Sequence, residues 1–169
     1  MKLEIERKFL LKSLPEIEPE QTVQIDQFYF KNPSGVWERA RSWFSSNGDR
    51  KYIHTVKKSV SKSVNIEDEH DLTEKQFNAF KDKCYKTPNE SKYIRKTRHI
   101  YKDGDLKWEI DEFNNDYKLI IAEIEIPTKD YEVVIPDYLK DLVLIEVTGM
   151  KPFSNRSLSL KIKKLANVQ

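Results

Sequence analysis

Cysteine is almost absent from this 169-residue sequence, and long hydrophobic runs are missing altogether. The single Cys84 excludes an internal disulfide and a cysteine cluster for zinc, and the phenylalanines near it predict a small core residue instead. No apolar run approaches the roughly 20 residues that a membrane-spanning helix needs. Because the amino terminus is charged from Lys2 onward and has no signal-peptide core, we expect a cytoplasmic protein.

An excess of charge of one sign is also lacking. The 30 basic and 28 acidic residues nearly balance, at a net charge of +2. This balance argues against a general nucleic-acid binder and against a membrane-surface binder. The length and the ordinary hydrophobic content favour one domain over residues 1–169, large enough for a core.

The turn residues of the sequence are typical of an antiparallel β protein. Asn47-Gly48 and Asp103-Gly104 favour tight hairpin turns, because asparagine, aspartate and glycine tolerate positive φ. A further turn is predicted at Asn114 to Asp116. The β-forming segments around these turns predict strands over residues 3–11, 22–31, 36–44, 51–58, 64–72, 92–102, 105–114, 118–126 and 143–147. Such a sheet, with short connections, tends to close into a barrel because closure removes the exposed edges.

Helical signals are few. One helix is predicted to begin at a capping box, Thr73 to Gln76, and its apolar residues recur at helical intervals as Phe77, Phe80 and Cys84. A short helical element is predicted near residues 137–142. A basic final helix is predicted to begin at Ser154 or Asn155 and to carry Leu158, Ile162 and Leu165.

Nearly every predicted strand carries polar or charged residues two positions apart, a spacing that places both on one face. In the first strand this face holds Glu4, Glu6 and Lys8. The later sets are Arg39 with Arg41, Thr55 with Lys57, Glu67 with Glu69, Lys96 with Arg98, Glu109 with Asp111, and Glu123 with Glu125. The other face of the last of these strands is apolar from Ile120 to Ile126, so covering that face with helices would place the acids inside the barrel.

If these faces line the interior, eight carboxylates and six cations share one enclosed space. Each buried ion loses hydration worth several kcal/mol, and a close pair recovers about 4 kcal/mol at an effective dielectric near 20. The signs are segregated by strand, so like charges repel each other unless the acids hold divalent cations and the bases hold a polyanion. Carboxylates without His or Cys suit Mg²⁺ or Mn²⁺ rather than zinc, and lysines and arginines suit a chain of phosphates. For any single pair a solvated barrel exterior with salt bridges is the simpler interpretation, but its repetition over seven strands favours the interior.

An ordered series of motifs resembles the CYTH superfamily, the triphosphate tunnel metalloenzymes, and specifically its short bacterial members. The series begins with Glu4, Glu6 and Lys8 and covers nearly the whole chain. It continues with Gln27, Tyr29, Arg39-Ala40-Arg41, Thr55-Val56-Lys57, Glu67-Asp68-Glu69, Lys96-Thr97-Arg98, Glu109-Ile110-Asp111, Glu123-Ile124-Glu125, Glu146-Val147-Thr148 and Asn155. Each motif alone is weak, but the full ordered set is specific. The sequence departs from the family pattern at Asn65, Met150 and Pro152.

This resemblance implies a mainly β fold of the α+β type, in which an eight-stranded antiparallel closed barrel forms a tunnel with a few flanking helices. It implies hydrolysis of the terminal phosphate of inorganic triphosphate or another small triphosphate, with Mg²⁺ or Mn²⁺ as cofactor. On the resemblance, the metal ligands would be Glu4, Glu6, Asp111, Glu123 and Glu125. The phosphate ligands would be Lys8, Arg39, Arg41, Lys57, Lys96 and Arg98. The catalytic acids that position metal or water would be Glu4, Glu6, Glu67 and Glu69.

Two alternatives remain open. A class IV adenylyl cyclase shares this tunnel and converts ATP to cyclic AMP and pyrophosphate, although the short form and the lack of an obvious adenine pocket favour the triphosphatase. A non-catalytic polyphosphate-binding module would bind tightly with metal but without turnover. The expected partner is a small-molecule triphosphate, with neither nucleic acid nor membrane. Assembly into a homodimer also remains open.

Overall fold

The computed structural model describes residues 1–114 and 118–162. Within these ranges lie three helices, α1 (Glu74–Lys86), α2 (Asp137–Lys140) and α3 (Asn155–Leu158), and none of them is long and apolar enough to cross a membrane. The same ranges contain ten strands, β1 (Lys2–Leu11), β2 (Gln21–Lys31), β3 (Trp37–Ser45), β4 (Arg50–Ser59), β5 (Val64–Asp71), β6 (Ser91–Asp103), β7 (Leu106–Phe113), β8 (Ile120–Glu125), β9 (Val143–Glu146) and β10 (Leu160–Lys161).

Eight of the strands close into an antiparallel barrel. Around the ring they follow the order β6, β2, β3, β4, β5, β1, β8 and β7, and β7 pairs with β6 again. The first half of β1 pairs with β5 and its second half with β8, so β1 joins the early and late strands of the chain. β9 pairs with the end of β1, and β10 pairs with β6 outside the ring. The predicted mainly β fold with an eight-stranded closed barrel is confirmed.

Local sequence explains the turns and the main helix. Gly48 and Gly104 adopt φ values of +94° and +60° in the β3–β4 and β6–β7 hairpins, where the sequence predicted tight turns. At the start of α1, the Thr73 hydroxyl accepts a hydrogen bond from the Gln76 N–H, and the Gln76 side chain accepts one from the Thr73 N–H. The predicted capping box is therefore confirmed, and the buried residues of α1 are Phe77, Phe80 and Cys84.

Two apolar clusters cover the outside of the barrel. The first packs Leu139 of α2 and its flanking segment against the outer face of β1, β7 and β8, including Ile5, Phe9, Trp108 and Ile124. The second packs α1 against Phe28 of β2 and Ala40 of β3. Because apolar and charged residues alternate along these strands, burying the apolar face from outside turns the charged face toward the barrel interior.

The carboxyl-terminal segment differs from the prediction. Ser154 caps α3 by accepting a hydrogen bond from the Ser157 N–H, but the helix ends at Leu158 and does not extend through Ile162. The predicted long final helix is wrong because Leu160 and Lys161 pair with β6 as β10, and this pairing requires an extended backbone. The predicted helix residue Leu165 and the predicted turn residues Asn115 and Asp116 lie outside the described residues.

Candidate active site inside the barrel

The order of strands around the ring sorts the interior charges into an acidic half and a basic half. Strands β6, β2, β3 and β4 are neighbours and form the basic half, which carries every predicted phosphate ligand except Lys8 of β1. The two halves meet where Lys57 of β4 pairs with Glu67 of β5, and where Arg98 of β6 pairs with Asp111 of β7. The acidic half, β5, β1, β8 and β7, carries Glu4, Glu6, Glu67, Glu69, Glu109, Asp111, Glu123 and Glu125.

Side-chain exposure shows which part of the interior opens to solvent. The side chains of Lys96 and Asp111 are each 1% exposed, whereas those of Lys57 and Glu125 are 33% and 47% exposed. A groove of about 390 Å³ on the barrel rim is lined in part by Glu109 and Glu125. The site is therefore enclosed around Lys96 and open near Lys57 and Glu125.

Two apolar clusters border the charged zone along the barrel. On β6 the cations Lys96 and Arg98 lie between Ile94 and Ile100. Ile100 packs with Val23, Ile25 and Trp43. Ile94 packs with Phe113, Ile121, Leu10, Leu119, Phe153 and Leu158. Apolar side chains keep water out and lower the local dielectric constant. They therefore strengthen the electrostatic interactions between the charges that they enclose.

Among the residues that the structure describes, Asp111 is the most enclosed carboxylate, and cations contact both of its oxygens. Arg98 donates to Oδ1 through Nε at 2.7 Å and to Oδ2 through Nη2 at 3.0 Å. The Lys96 ammonium lies 2.8 Å from Oδ2 and also donates to Asn155 Oδ1 at 2.8 Å. Burial raises the pKa of Asp111, but Arg98 and Lys96 outweigh this effect and hold the pKa below its usual value. A metal-binding role for Asp111 stays a prediction.

The ammonium of Lys57 lies among three carboxylates of the acidic half. Its Nζ is 2.7 Å from Glu4 Oε2, 3.7 Å from Glu6 Oε1 and 3.7 Å from Glu67 Oε1. Burial lowers the pKa of Lys57, but Glu6 and Glu4 outweigh this effect and raise the pKa above its usual value. Lys57 therefore remains charged at neutral pH and partly neutralises the acids around it.

Glu6 and Glu123 share the ammonium of Lys8, which lies 3.7 Å from Glu6 Oε1 and 3.2 Å from Glu123 Oε1. Burial, with the charge of Glu123 added, raises the pKa of Glu6 to about 7. In Glu123, burial is outweighed by Lys8 and Arg98, so its pKa lies well below its usual value. Burial also raises the pKa of Glu4. The negative charges of Glu4 and Glu6 are thus poorly compensated.

The donor atoms of the acidic half suit a hard divalent cation, because they are carboxylate oxygens and the charges of Glu4 and Glu6 lack sufficient compensation. Between residues 1 and 162, leaving out 115–117, no three His, Cys, Asp or Glu side chains lie close enough together to hold a metal. The ammonium groups of Lys8 and Lys57 lie between the carboxylates. Cation binding to these acids therefore requires the lysine side chains to move.

Arg39 and Arg41 present unused hydrogen-bond donors to the interior. In the described part of the chain, the buried Nε atoms of both residues have no hydrogen-bond partner. Arg39 Nη2 donates to Thr55 Oγ1 at 3.0 Å, and Thr55 in turn donates to Glu69 at 3.2 Å. Burial, with the charges of Arg39 and Arg98 added, lowers the pKa of Arg41 to about 10. Two half-buried arginines on one strand, each with a buried Nε donor that lacks a partner among the residues described, are typical of an anion-binding site.

Every site residue predicted from the sequence faces the barrel interior or its rim. Glu69 and Glu125 lie at the open end, where Glu125 pairs with Lys2 at 3.3 Å. The departure Asn65 pairs with Glu4 across β5 and β1. The catalytic, metal-binding and phosphate-binding roles of these residues stay predictions.

Three neutral residues that the sequence analysis gave no role also contact the site. Thr55 links Arg39 to Glu69, and Asn155 contacts Lys96. Gln27 is fully buried beside Arg41, and its side-chain carbonyl oxygen has no partner among the described residues. Strand alternation indicates that Thr55 and Gln27 face inward, but no local signal connects Asn155 with Lys96.

Comparison with known proteins adds independent findings. A family model described as the CYTH domain matches residues 2–144. The crystal structure of the inorganic triphosphatase NE1496 is similar to this one, with a TM-score of 0.58. The two sequences are 26% identical, and the alignment covers 96% of this chain and 97% of that one. No curated protein matches the sequence.

Two similar structures are described as adenylyl cyclases. A putative adenylyl cyclase from Hippeastrum, described as having a dominant triphosphatase activity, is 17% identical with a TM-score of 0.52, covering 74% of this chain and 80% of that one. A putative adenylate cyclase from Vibrio parahaemolyticus is 16% identical with a TM-score of 0.51, covering 76% of this chain and 78% of that one. At these identities both support the fold alone. Because the family model matches well over half of the sequence, the chain belongs to the CYTH domain family.

Proposed function

We propose that this protein is a divalent-metal-dependent hydrolase that removes the terminal phosphate of inorganic triphosphate or another small triphosphate, acting as one domain. The observation that carries the proposal is the pair Arg39 and Arg41, whose buried Nε donors lack partners among the described residues and share an enclosed space with surplus carboxylate charge. The similarity to an inorganic triphosphatase at 26% identity supports this choice of substrate.

A triphosphate supplies the negative charge that the basic half needs. Arg39 and Arg41 would each bind phosphate oxygens through paired N–H groups. Lys96 and Arg98 lie deeper, where Asp111 orients both of them, and would neutralise the innermost phosphate. Because these cations are held in place before the substrate arrives, little reorganisation is needed when charge develops on the phosphoryl oxygens.

The acidic half would hold the metal and orient the attacking water. Glu4, Glu6 and Glu123 lie together on β1 and β8 and would be the main ligands of Mg²⁺ or Mn²⁺, with Glu125 and Asp111 as further predicted ligands. When bound, the metal would neutralise charge on the phosphate oxygens. Glu67 and Glu69, on the neighbouring β5, would accept hydrogen bonds from a water aligned with the terminal phosphate.

Product analysis tests the proposal. Inorganic triphosphate, ATP and thiamine triphosphate are each incubated with Mg²⁺, Mn²⁺ or a chelator, and the products are separated by a chromatography that resolves cyclic AMP. We expect orthophosphate from inorganic triphosphate, with metal only. Cyclic AMP and pyrophosphate from ATP would overturn the proposal in favour of a cyclase, and binding without any product would indicate a polyphosphate-binding module.

A matched pair of variants connects the activity with the interior arginines. Arg41→Met should lose most of the phosphate release, because it removes an interior guanidinium. Arg95→Met removes a guanidinium that is 57% exposed and paired with Asp26 outside the barrel, so its activity should equal that of the wild type. Equal activity of both variants would contradict the assignment of the anion site to Arg41.

A further inference from the structure

Lys57 lies at the border of the two halves of the site. Its strand, β4, is the last of the basic half, and it pairs with β5, the first of the acidic half. The Lys57 ammonium reaches across this border to within 2.7 Å of Glu4 and 3.7 Å of Glu6 and Glu67. Glu4 and Glu6 are also the predicted metal ligands on β1. The ammonium therefore occupies the space that a cation bound by these acids would need.

A metal ion bound by Glu4 and Glu6 would strongly repel the Lys57 ammonium, because both are cations close together in a partly buried site. The Lys57 side chain can move away from these carboxylates. Its ammonium is carried on a flexible four-carbon stem, and a third of the side chain is exposed at the open end of the site. What it needs is another anionic partner, and a triphosphate lying along the basic half would offer one.

We propose that Lys57 makes the binding of metal and the binding of triphosphate cooperative. While the ammonium pairs with Glu4, Glu6 and Glu67, it weakens metal binding to them. A triphosphate bound by the arginines of β3 draws the ammonium to its own oxygens and leaves the carboxylates to the metal. By thermodynamic linkage, the metal must strengthen triphosphate binding by the same factor. The proposed function is assumed here only for the identity of the two ligands.

The first experiment measures Mn²⁺ binding without any phosphate compound, from the electron paramagnetic resonance signal of free Mn²⁺. Lys57→Met keeps most of the unbranched side chain but removes its charge, so this variant should bind Mn²⁺ about tenfold more tightly than the wild type, within the range typical of coupled sites. Lys57→Arg keeps the charge and should bind Mn²⁺ as weakly as the wild type. Lys58→Met, on the outer face of the same strand, should have no effect. Circular dichroism checks folding, and Lys57→Gln replaces the Met variant if that variant is unfolded.

The second experiment measures the coupling itself. Calorimetry gives the affinity of a methylene-bridged triphosphate analogue, which water cannot cleave, in chelator and at one fixed concentration of free Mn²⁺. In the wild type, Mn²⁺ should raise this affinity about tenfold, and in Lys57→Met less than about twofold. Since the analogue binds Mn²⁺ in solution equally in both titrations, the difference between the variants belongs to the protein.

The outcomes separate this inference from the proposed function. If the neutral variants bind Mn²⁺ no more tightly than the wild type, or if the coupling is the same in both proteins, Lys57 is not the coupling residue. The proposed function would then still stand on phosphate release from inorganic triphosphate. If the wild type binds neither Mn²⁺ nor the analogue, both the inference and the proposed function are wrong.

Discussion

Replacing Glu6 with Gln should stabilise the protein at alkaline pH, although it removes a predicted metal ligand. Burial, with the charge of Glu123 added, raises the pKa of Glu6 from 4.5 to about 7. The folded protein therefore binds this proton more tightly than the unfolded chain does. Below about pH 4.5 Glu6 is protonated in both states and costs no stability. As the pH rises, ionisation of Glu6 lowers the free energy of unfolding, and the loss is complete above about pH 7.

The size of the effect follows from the two pKa values. A difference between 4.5 and about 7, at about 1.4 kcal/mol for each pH unit, gives a cost of about 3 kcal/mol at pH 8 and below about 1 kcal/mol at pH 5. Gln has the shape of protonated Glu without its acidity, so Glu6→Gln removes this cost. For a domain of this size, about 3 kcal/mol raises the Tm by roughly 6–12 °C.

Urea unfolding of the wild type and Glu6→Gln at pH 5 and pH 8, in the presence of chelator, measures the difference. The control is Glu20→Gln, which breaks an exposed ion pair with Lys102 and should leave the free energy of unfolding unchanged at both pH values. Equal stability of wild type and Glu6→Gln at pH 8 would refute the reasoning, as would a difference that does not vary with pH. Metal-dependent phosphate release by Glu6→Gln should fall at least about tenfold, because it lacks the charged ligand.

Three further predictions concern other parts of the chain. Arg41→Met should raise the KM for inorganic triphosphate at least about tenfold, with no loss of stability in urea because the buried Nε has no hydrogen-bond partner among the described residues; a large loss of stability would indicate a structural role. Asp111→Asn should lower the free energy of unfolding by about 3–5 kcal/mol, because Arg98 and Lys96 lose their charged partner; a stability equal to that of the wild type would show that these cations do not depend on Asp111. Thr73→Ala should cost about 1 kcal/mol in urea through loss of the helix cap and leave phosphate release unchanged, whereas an altered rate would connect α1 with the site.

Local patterns in the sequence predicted the elements that depend on near neighbours. The capping box at Thr73 and Gln76 and the turn at Asn47-Gly48 involve residues at most three positions apart, so short-range chemistry decides them. The prediction of a long final helix is wrong for the opposite reason. Its sequence is compatible with a helix, but pairing of β10 with β6 requires extended backbone after Ser159.

The sequence by itself determined which residues face the barrel interior, because side chains alternate along a strand and only the apolar alternates could be covered from outside. Only the tertiary structure decided which charges meet. The ring order places four acid-bearing strands side by side, and the register sets Lys57 against Glu67 and Arg98 against Asp111. It also brings Asn155 to Lys96 across 59 residues of chain. Strand order and register depend on pairings between distant segments, which the periodicity of a single strand does not encode.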